Sequence, residues 1–285
     1  MVQFRRVPNK DHNQASRTLT IQLWVRALER WRGWRVGINS GLVALVDALP
    51  GTNRIRAVAR ALENRCSPVY LEIGVSRGQA FSRINADIKI AVDPAFRMSD
   101  RTREQAQRRG RTTHFIETTS DEFFAEKADL LERHPVDVAL IDGLHTYEQV
   151  VRDVENTLRH LREDGVIFLH DCNPAFELAG RRAESWEDFV AQQKGPLVIG
   201  LWNGDVWKSI VHLRSTRPDL VVGVLKCDQG VGFVRRGRPE STLPYSPEQV
   251  AALSYADLKA DRRHLLNLKP PRYLDTLLAA APAAR

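Results

Sequence analysis

Apolar and polar positions along this chain change period partway through. From residue 18 to 64 the apolar residues recur at every third or fourth place. The stretches "TLTIQLWVRALERW" (18–31), "INSGLVALVDAL" (38–49) and "NRIRAVARALEN" (53–64) all read as helices with one buried face. Short runs then take over, at 68–74, 88–93, 113–118, 136–142 and 165–171, mostly apolar except for the more polar "THFIET" at 113–118. Runs of this length and character are buried strands. The segments between them carry polar or amphipathic helix patterns: a helix start in "RGQAFSRIN", then "TREQAQRRG", "DEFFAEKADLLERH" and "YEQVVRDVENTLRHL".

Strands alternating with helices across short connections predict a parallel, doubly wound α/β sheet. The end of the sheet region differs. "DVWKSIVHLRST" reads as a helix, and "DLVVGVLKC" and "GVGFVRR" as strands joined only by the turn "DQG". So short a link permits only antiparallel pairing. "GRPESTLPYSP" reads as a linker, after which "EQVAALSYADLKADRRHLLNL" returns to helix. The chain therefore divides into an N-terminal helical segment (1–64), a sheet domain (65–236), and a linker with a helical tail (237–285).

Composition narrows the class without naming a function. In 285 residues, 43% are hydrophobic and 27% charged, the balance of an ordinary globular protein. No apolar run reaches the ~20 residues that cross a bilayer, and the first residues lack a secretory core, so a cytoplasmic location is expected. Cys66, Cys172 and Cys227 are scattered and odd in number, which points to free thiols. The net charge of +7 raises nucleic acid as a partner. The arginine-rich stretch 96–113 is interspersed with acids, as on a solvated helix face, so nucleic acid is not the expected partner.

Ligands of open α/β sheets sit beyond the carboxyl ends of the strands. The first strand runs into "LEIGVSRGQA", which supplies Glu72, Gly74, Ser76 and Gly78. Glycines there let backbone amides approach a ligand at a helix N-terminus. The second strand ends at Asp93, placed to accept the ribose hydroxyls of an adenosine-type cofactor. Asp142 and Asp171 end the fourth and fifth strands, about 4.8 Å apart if those strands are neighbours. Carboxylates that close repel unless protonated or bridged by a cation, and Mg²⁺ fits the gap. His145 lies on the loop just past Asp142, and His170 precedes Asp171. Tyr147, Trp202 and Asp205, with Trp207, are candidates for the acceptor side, since aromatic faces and a carboxylate suit a sugar. Asp205 as a helix cap and the tryptophans as packing explain the same residues equally well.

The segments "LEIGVSRGQA", "AVDP", "LIDGLHTYEQVVRDVENTLRHLREDGVIFLHDCNP" and "WNGDVWK" together resemble class I S-adenosylmethionine-dependent methyltransferases. The nearest likeness is to the branch of macrocin- and mycinamicin-type sugar O-methyltransferases, over roughly residues 65–236. The resemblance implies a Rossmann-like seven-stranded methyltransferase sheet, five parallel strands plus a C-terminal antiparallel hairpin, with helical attachments at both ends. It implies S-adenosylmethionine bound by Glu72, Gly74, Ser76, Gly78, Asp93 and Asp142, and Mg²⁺ (or Mn²⁺) held by Asp142 and Asp171. His170 joins them as a candidate ligand, at a position that is usually acidic in such relatives. It also implies His145 as the base for a sugar hydroxyl and a small-molecule or saccharide acceptor. The N-terminal helices are candidates for a lid or a contact between two copies.

Three other readings use the same residues. "NPAF" (173–176) resembles the motif of amino-group methyltransferases that act on nucleic acid, but lacks its second proline. His145, His170 and Asp171 offer the two histidines and carboxylate of a non-haem iron oxygenase. A binding protein that kept the fold without the chemistry is the third.

Overall fold

The computed structural model describes residues 51–193 and 200–279. The expected helices at 18–31 and 38–49, and any contact they make, lie outside the described residues.

The elements appear in the order α1 (Arg54–Leu62), β1 (Val69–Ile73), β2 (Ile88–Asp93), α2 (Asp100–Gln107), β3 (Thr112–Glu117), α3 (Ser120–Glu126), α4 (Ala128–Arg133) and β4 (Val136–Ile141). They continue with α5 (Tyr147–His160), β5 (Leu161–Leu169), α6 (Trp186–Ala191), α7 (Trp207–Thr216), β6 (Leu220–Leu225) and β7 (Val231–Arg236). The chain then forms α8 (Pro247–Ala252), α9 (Tyr255–Leu265), β8 (Leu268–Lys269) and α10 (Tyr273–Ala279).

One sheet takes them in the order β3-β2-β1-β4-β5-β7-β6-β8. Strands β1 to β5 are parallel, and β7 joins β5 and β6 antiparallel. This is the Rossmann-like methyltransferase arrangement, with eight strands rather than seven. The added strand, β8, is a two-residue piece parallel to β6, in a stretch that reads as helical tail. So short a strand carries no alternation to betray it.

Apolar residues on both strand faces explain the parallel sheet. Val69, Leu71 and Ile73 face one core, with Phe123, Val154, Ile210 and Leu258. Tyr70, Val138, Leu140 and Phe168 face the other, with Val58, Phe81 and Leu277. Helix α1 thus packs on the sheet through Ile55, Val58, Ala61 and Leu62.

The helix expected after β1 does not form. Residues Phe81–Arg83 make a single 3₁₀ turn, because β2 begins at Ile88 and leaves no room for a loop and a full helix. Fully buried Lys89 holds that turn by donating from Nζ to the carbonyls of Phe81 (2.7 Å) and Ala106 (3.0 Å). The loop after β1 therefore offers backbone amides without a long helix dipole behind them.

Gly74, just past β1, lies tight against the backbone of Asp142 and Gly143 just past β4. Its φ is +83°, and a Cβ there would lie 2.2 Å from the Asp142 carbonyl oxygen. Gly74→Ala meets backbone, which cannot rotate away, and a backbone region that alanine disfavours. We expect it to cost on the order of 3 kcal/mol or more, read as a lower urea midpoint.

A candidate methyl-transfer site at the strand tips

Beyond the tips of β1, β2 and β4 lies a cavity of about 510 Å³. Gly74, Ser76, Asp93, Asp142 and Trp202 line it among the predicted residues. Asp93 organises its floor: Oδ2 accepts from the Ser76 amide (2.7 Å) and Oδ1 from the Ala95 amide (2.8 Å). Each oxygen keeps a second lone pair for a ligand. Gly78 closes the loop from behind, where a Cβ would press on Met98 Sδ at 2.5 Å.

Glu72 sits elsewhere. It is buried inside β1, where its carboxylate accepts from the Tyr70 hydroxyl, and it is not part of the cavity wall. Burial pushes its carboxyl up to about 8, against the Tyr70 hydrogen bond and the charges of Arg54 and Lys89. A carboxyl with a raised native pKa binds its proton more tightly folded than unfolded. Its contribution to stability therefore falls as pH rises from about 4.5 toward 8. Glu72→Gln is expected to remove that slope, gaining a few kcal/mol at pH 8 on the order-of-magnitude scale of 1.4 per unit. Urea unfolding at pH 5 and pH 8 measures it.

The acids at the tips of β4 and β5 do come together, and two histidines lie between them. His170 Nδ1 is 3.2 Å from both Asp142 Oδ1 and Asp171 Oδ2. His145 Nε2 is 3.5 Å from the same two oxygens. The remaining oxygens are otherwise engaged. Asn203 Nδ2 donates to Asp171 Oδ1 at 2.8 Å, and Arg54 Nε lies 3.8 Å from Asp142 Oδ2. Asp171 adopts φ +62°, a strained conformation for a non-glycine residue.

His145 is held from behind. Its Nδ1 is 2.9 Å from the Trp202 carbonyl oxygen, which can only accept, so Nδ1 carries the proton and Nε2 faces the acids. The Trp202 ring lies 4.9 Å from the imidazole and stacks on Phe189 at 5.6 Å. Gly204 passes so close that a Cβ would overlap the His145 carbonyl oxygen at 1.9 Å.

Electrostatics follow from these contacts. Burial disfavours the Asp142 anion, yet the charge on His170, hydrogen bonds from both histidines and Arg54 hold its carboxyl well below the usual range. Burial lowers both imidazoles, and Asp142 and Asp171 more than reverse it, so both titrate above an ordinary histidine.

Asp142, His170 and Asp171 offer three ligand atoms within 4.8 Å of one another. The far nitrogen of His170 is buried without a hydrogen bond and faces Asp228 Oδ1 at 3.5 Å. A carboxylate behind an imidazole is the usual support of a metal-bound histidine. The residues fit a divalent cation.

The acceptor candidates separate. Trp202 lines the cavity, whereas Asp205 Oδ1 accepts from the Tyr147 amide at 2.8 Å. Asp205 thereby caps α5, whose own N-cap Thr146 makes no such bond. The Tyr147 hydroxyl meets His212 Nδ1 at 2.7 Å, and Trp207 is in the core. Neither Tyr147 nor Asp205 lines the cavity. Cys172 is buried and its thiol pushed far up by burial, with no place among the ligand atoms.

Sequence reasoning passes over Arg54, Asn203 and Asp228. Their roles depend on partners 174 residues apart in one case and 32 in another, which no local motif marks.

Strand order and polar strand tips define a Rossmann-like α/β protein with its ligand edge at β1, β2, β4 and β5. Residues 71–172, from β1 to just past β5, match the model of a family described as a methyltransferase domain. No curated protein matches the chain. Among solved structures, the cofactor-bound protein Rv0187 from MTB is 15% identical, with TM-score 0.44 over 69% of this chain and 88% of that one. The MycE methyltransferase of the mycinamycin biosynthetic pathway, in complex with Mg, SAH and mycinamycin VI, is 19% identical, with TM-score 0.37. That match covers 64% of this chain and 48% of MycE. The N-methyltransferase NodS from Bradyrhizobium japonicum WM9 is 14% identical, with TM-score 0.40 over 66% and 95%. These likenesses concern the fold.

Proposed function

We propose that the protein is a cation-dependent O-methyltransferase that moves a methyl group from S-adenosylmethionine to a hydroxyl of a saccharide or glycosylated acceptor. One observation carries this reading. A glycine loop pinned by Asp93 and a histidine whose Nε2 faces two acids occur on one sheet edge, within a segment that matches a methyltransferase domain.

Gly74, Ser76 and Asp93 bind the nucleoside end, Asp93 through the lone pairs its backbone bonds leave over. S-adenosylmethionine, when bound, supplies a methyl group already activated by its sulfonium. The strand tips align an acceptor oxygen with it, which contributes through proximity. His145 takes the hydroxyl proton at Nε2, its Nδ1–H fixed on the Trp202 carbonyl. Asp142, Asp171 and His170 would hold the cation, which lowers the hydroxyl pKa when bound.

The cavity supports a neutral acceptor over nucleic acid. Among the described residues, Asp93, Asp121, Asp142, Asp153, Glu184 and Glu187 line it against Arg97, a balance that disfavours a phosphate backbone. Asn173 of the "NPAF" stretch is also engaged, its Oδ1 accepting from Arg262 Nη1 at 2.6 Å.

Calorimetry with S-adenosylmethionine is expected to show saturable 1:1 binding. Asp93→Ala should weaken it about tenfold or more, as lost hydrogen bonds of about 0.5–1.5 kcal/mol each imply. Asp93→Asn, which keeps one acceptor oxygen, should fall between. Undiminished binding in both variants places the ribose elsewhere.

A further inference from the structure

His170 is the one nitrogen donor among the three ligand atoms that converge at the strand tips. Both edges of its ring are fixed. Nδ1 faces Asp142 Oδ1 and Asp171 Oδ2 at 3.2 Å each, the two carboxylate oxygens that Arg54 and Asn203 leave open. Nε2 is buried, makes no hydrogen bond, and is directed at Asp228 Oδ1 from 3.5 Å. Asp228 itself does not move freely. It sits in the β6–β7 turn with φ +43°. Its Oδ2 accepts from the Arg54 amide and from Arg54 Nη1, both at 2.9 Å.

A histidine that ligates a metal donates its other ring N–H to a carboxylate, which fixes tautomer and orientation. Asp228 stands where that acceptor is needed. Mg²⁺ prefers an all-oxygen shell and keeps its waters, whereas Mn²⁺ accepts mixed nitrogen and oxygen donors.

We propose that His170, oriented by Asp228, is a nitrogen ligand, and that the site it forms with Asp142 and Asp171 takes Mn²⁺ in preference to Mg²⁺. This rests on the reading of the site as a cation-dependent methyltransferase centre. Arg54 of α1 and the β6–β7 turn thereby become positioning elements of the site, although neither belongs to the segment that matches the methyltransferase domain.

The test uses the full chain with MnCl₂ alone, by pulsed electron paramagnetic resonance, and with MnCl₂ or MgCl₂ by calorimetry. Circular dichroism checks the fold of each variant. The bound Mn²⁺ is expected to show coupling to a directly ligated ¹⁴N, kept in His145→Gln and lost in His170→Asp. His170→Asp should also narrow the Mn²⁺-to-Mg²⁺ affinity ratio by about tenfold or more. Asp228→Asn should weaken Mn²⁺ by about 10–100-fold, the usual effect of losing such a support. A nitrogen-free Mn²⁺ signal in the parent protein, or an unchanged ratio in His170→Asp, overturns the assignment. S-adenosylmethionine titrated into the same samples separates the two readings. Cofactor binding without any Mn²⁺ binding overturns this inference and leaves the methyltransferase reading standing. Nitrogen-coupled Mn²⁺ without cofactor binding does the reverse.

Discussion

Turnover of His145→Ala is expected to fall by about 10²–10⁴-fold, the range for removing a positioned general base. Affinity for S-adenosylmethionine should hardly change, because His145 is not part of the wall of the Gly74–Asp93 cavity. The loop should also survive. Its backbone is clamped by the close approach of Gly204 and by the Asp205 cap on the Tyr147 amide, neither of which uses the imidazole. His145→Gln is the sharper control, since its amide can still donate to the Trp202 carbonyl while offering no base at the site of Nε2. It should be as inactive as the alanine variant. Initial-rate measurements with a methyl-group assay check both, and near-parental turnover returns His145 to a packing role.

Asp142→Asn and Asp171→Asn are each expected to abolish transfer while leaving the protein folded by circular dichroism. The fold should hold because the carboxylates are not what pins the backbone there. The Asp142 amide donates to the Ile73 carbonyl at 2.8 Å, and the Asp171 carboxylate meets the side chains of Asn203, His145 and His170 rather than backbone groups. What each substitution removes is negative charge beside His145 and His170, where the proposed function brings the acceptor hydroxyl. Exhaustive treatment with EDTA should have the same effect, reversed by Mn²⁺ or Mg²⁺. Full activity after chelation would sink the cation. His170 would then be the positive group that lets two carboxylates lie so close, as its contacts with both allow.

The sheet is legible in the sequence because buried parallel strands must be apolar on both faces and short. "VYLEI", "IKIAVD" and "VDVALI" have that character, and all three form fully buried strands. The turn "DQG" dictates an antiparallel pair for the same reason of reach, and β6 and β7 pair so. The positions of Asp93, Asp142 and Asp171 follow from strand ends. What escapes is whatever depends on tertiary partners. "RGQAFSRIN" has helix-compatible residues, yet the spacing to β2 and the Lys89 ammonium make it a 3₁₀ turn. Asp205 carries no mark of capping a helix 58 positions upstream. Glu72 looks like a ligand at a strand tip, yet its side chain points into the core toward Tyr70. Asp228 reads as an ordinary turn residue, and only the folded chain brings His170 and Arg54 to it.

The order of strands also governs how the chain can be made. Strand β5 is finished at Leu169, but among the described residues its outer edge pairs with β7, through Ile167 to Val234, Phe168 to Phe233 and Leu169 to Gly232. While the polypeptide emerges from a ribosome, some sixty residues must follow before that apolar edge finds its partner, and until then it is an open template for association with other chains. A shortened protein ending near residue 172, where the methyltransferase match stops, would keep this edge exposed permanently. Such fragments should be insoluble, and a soluble working unit should extend at least through β7.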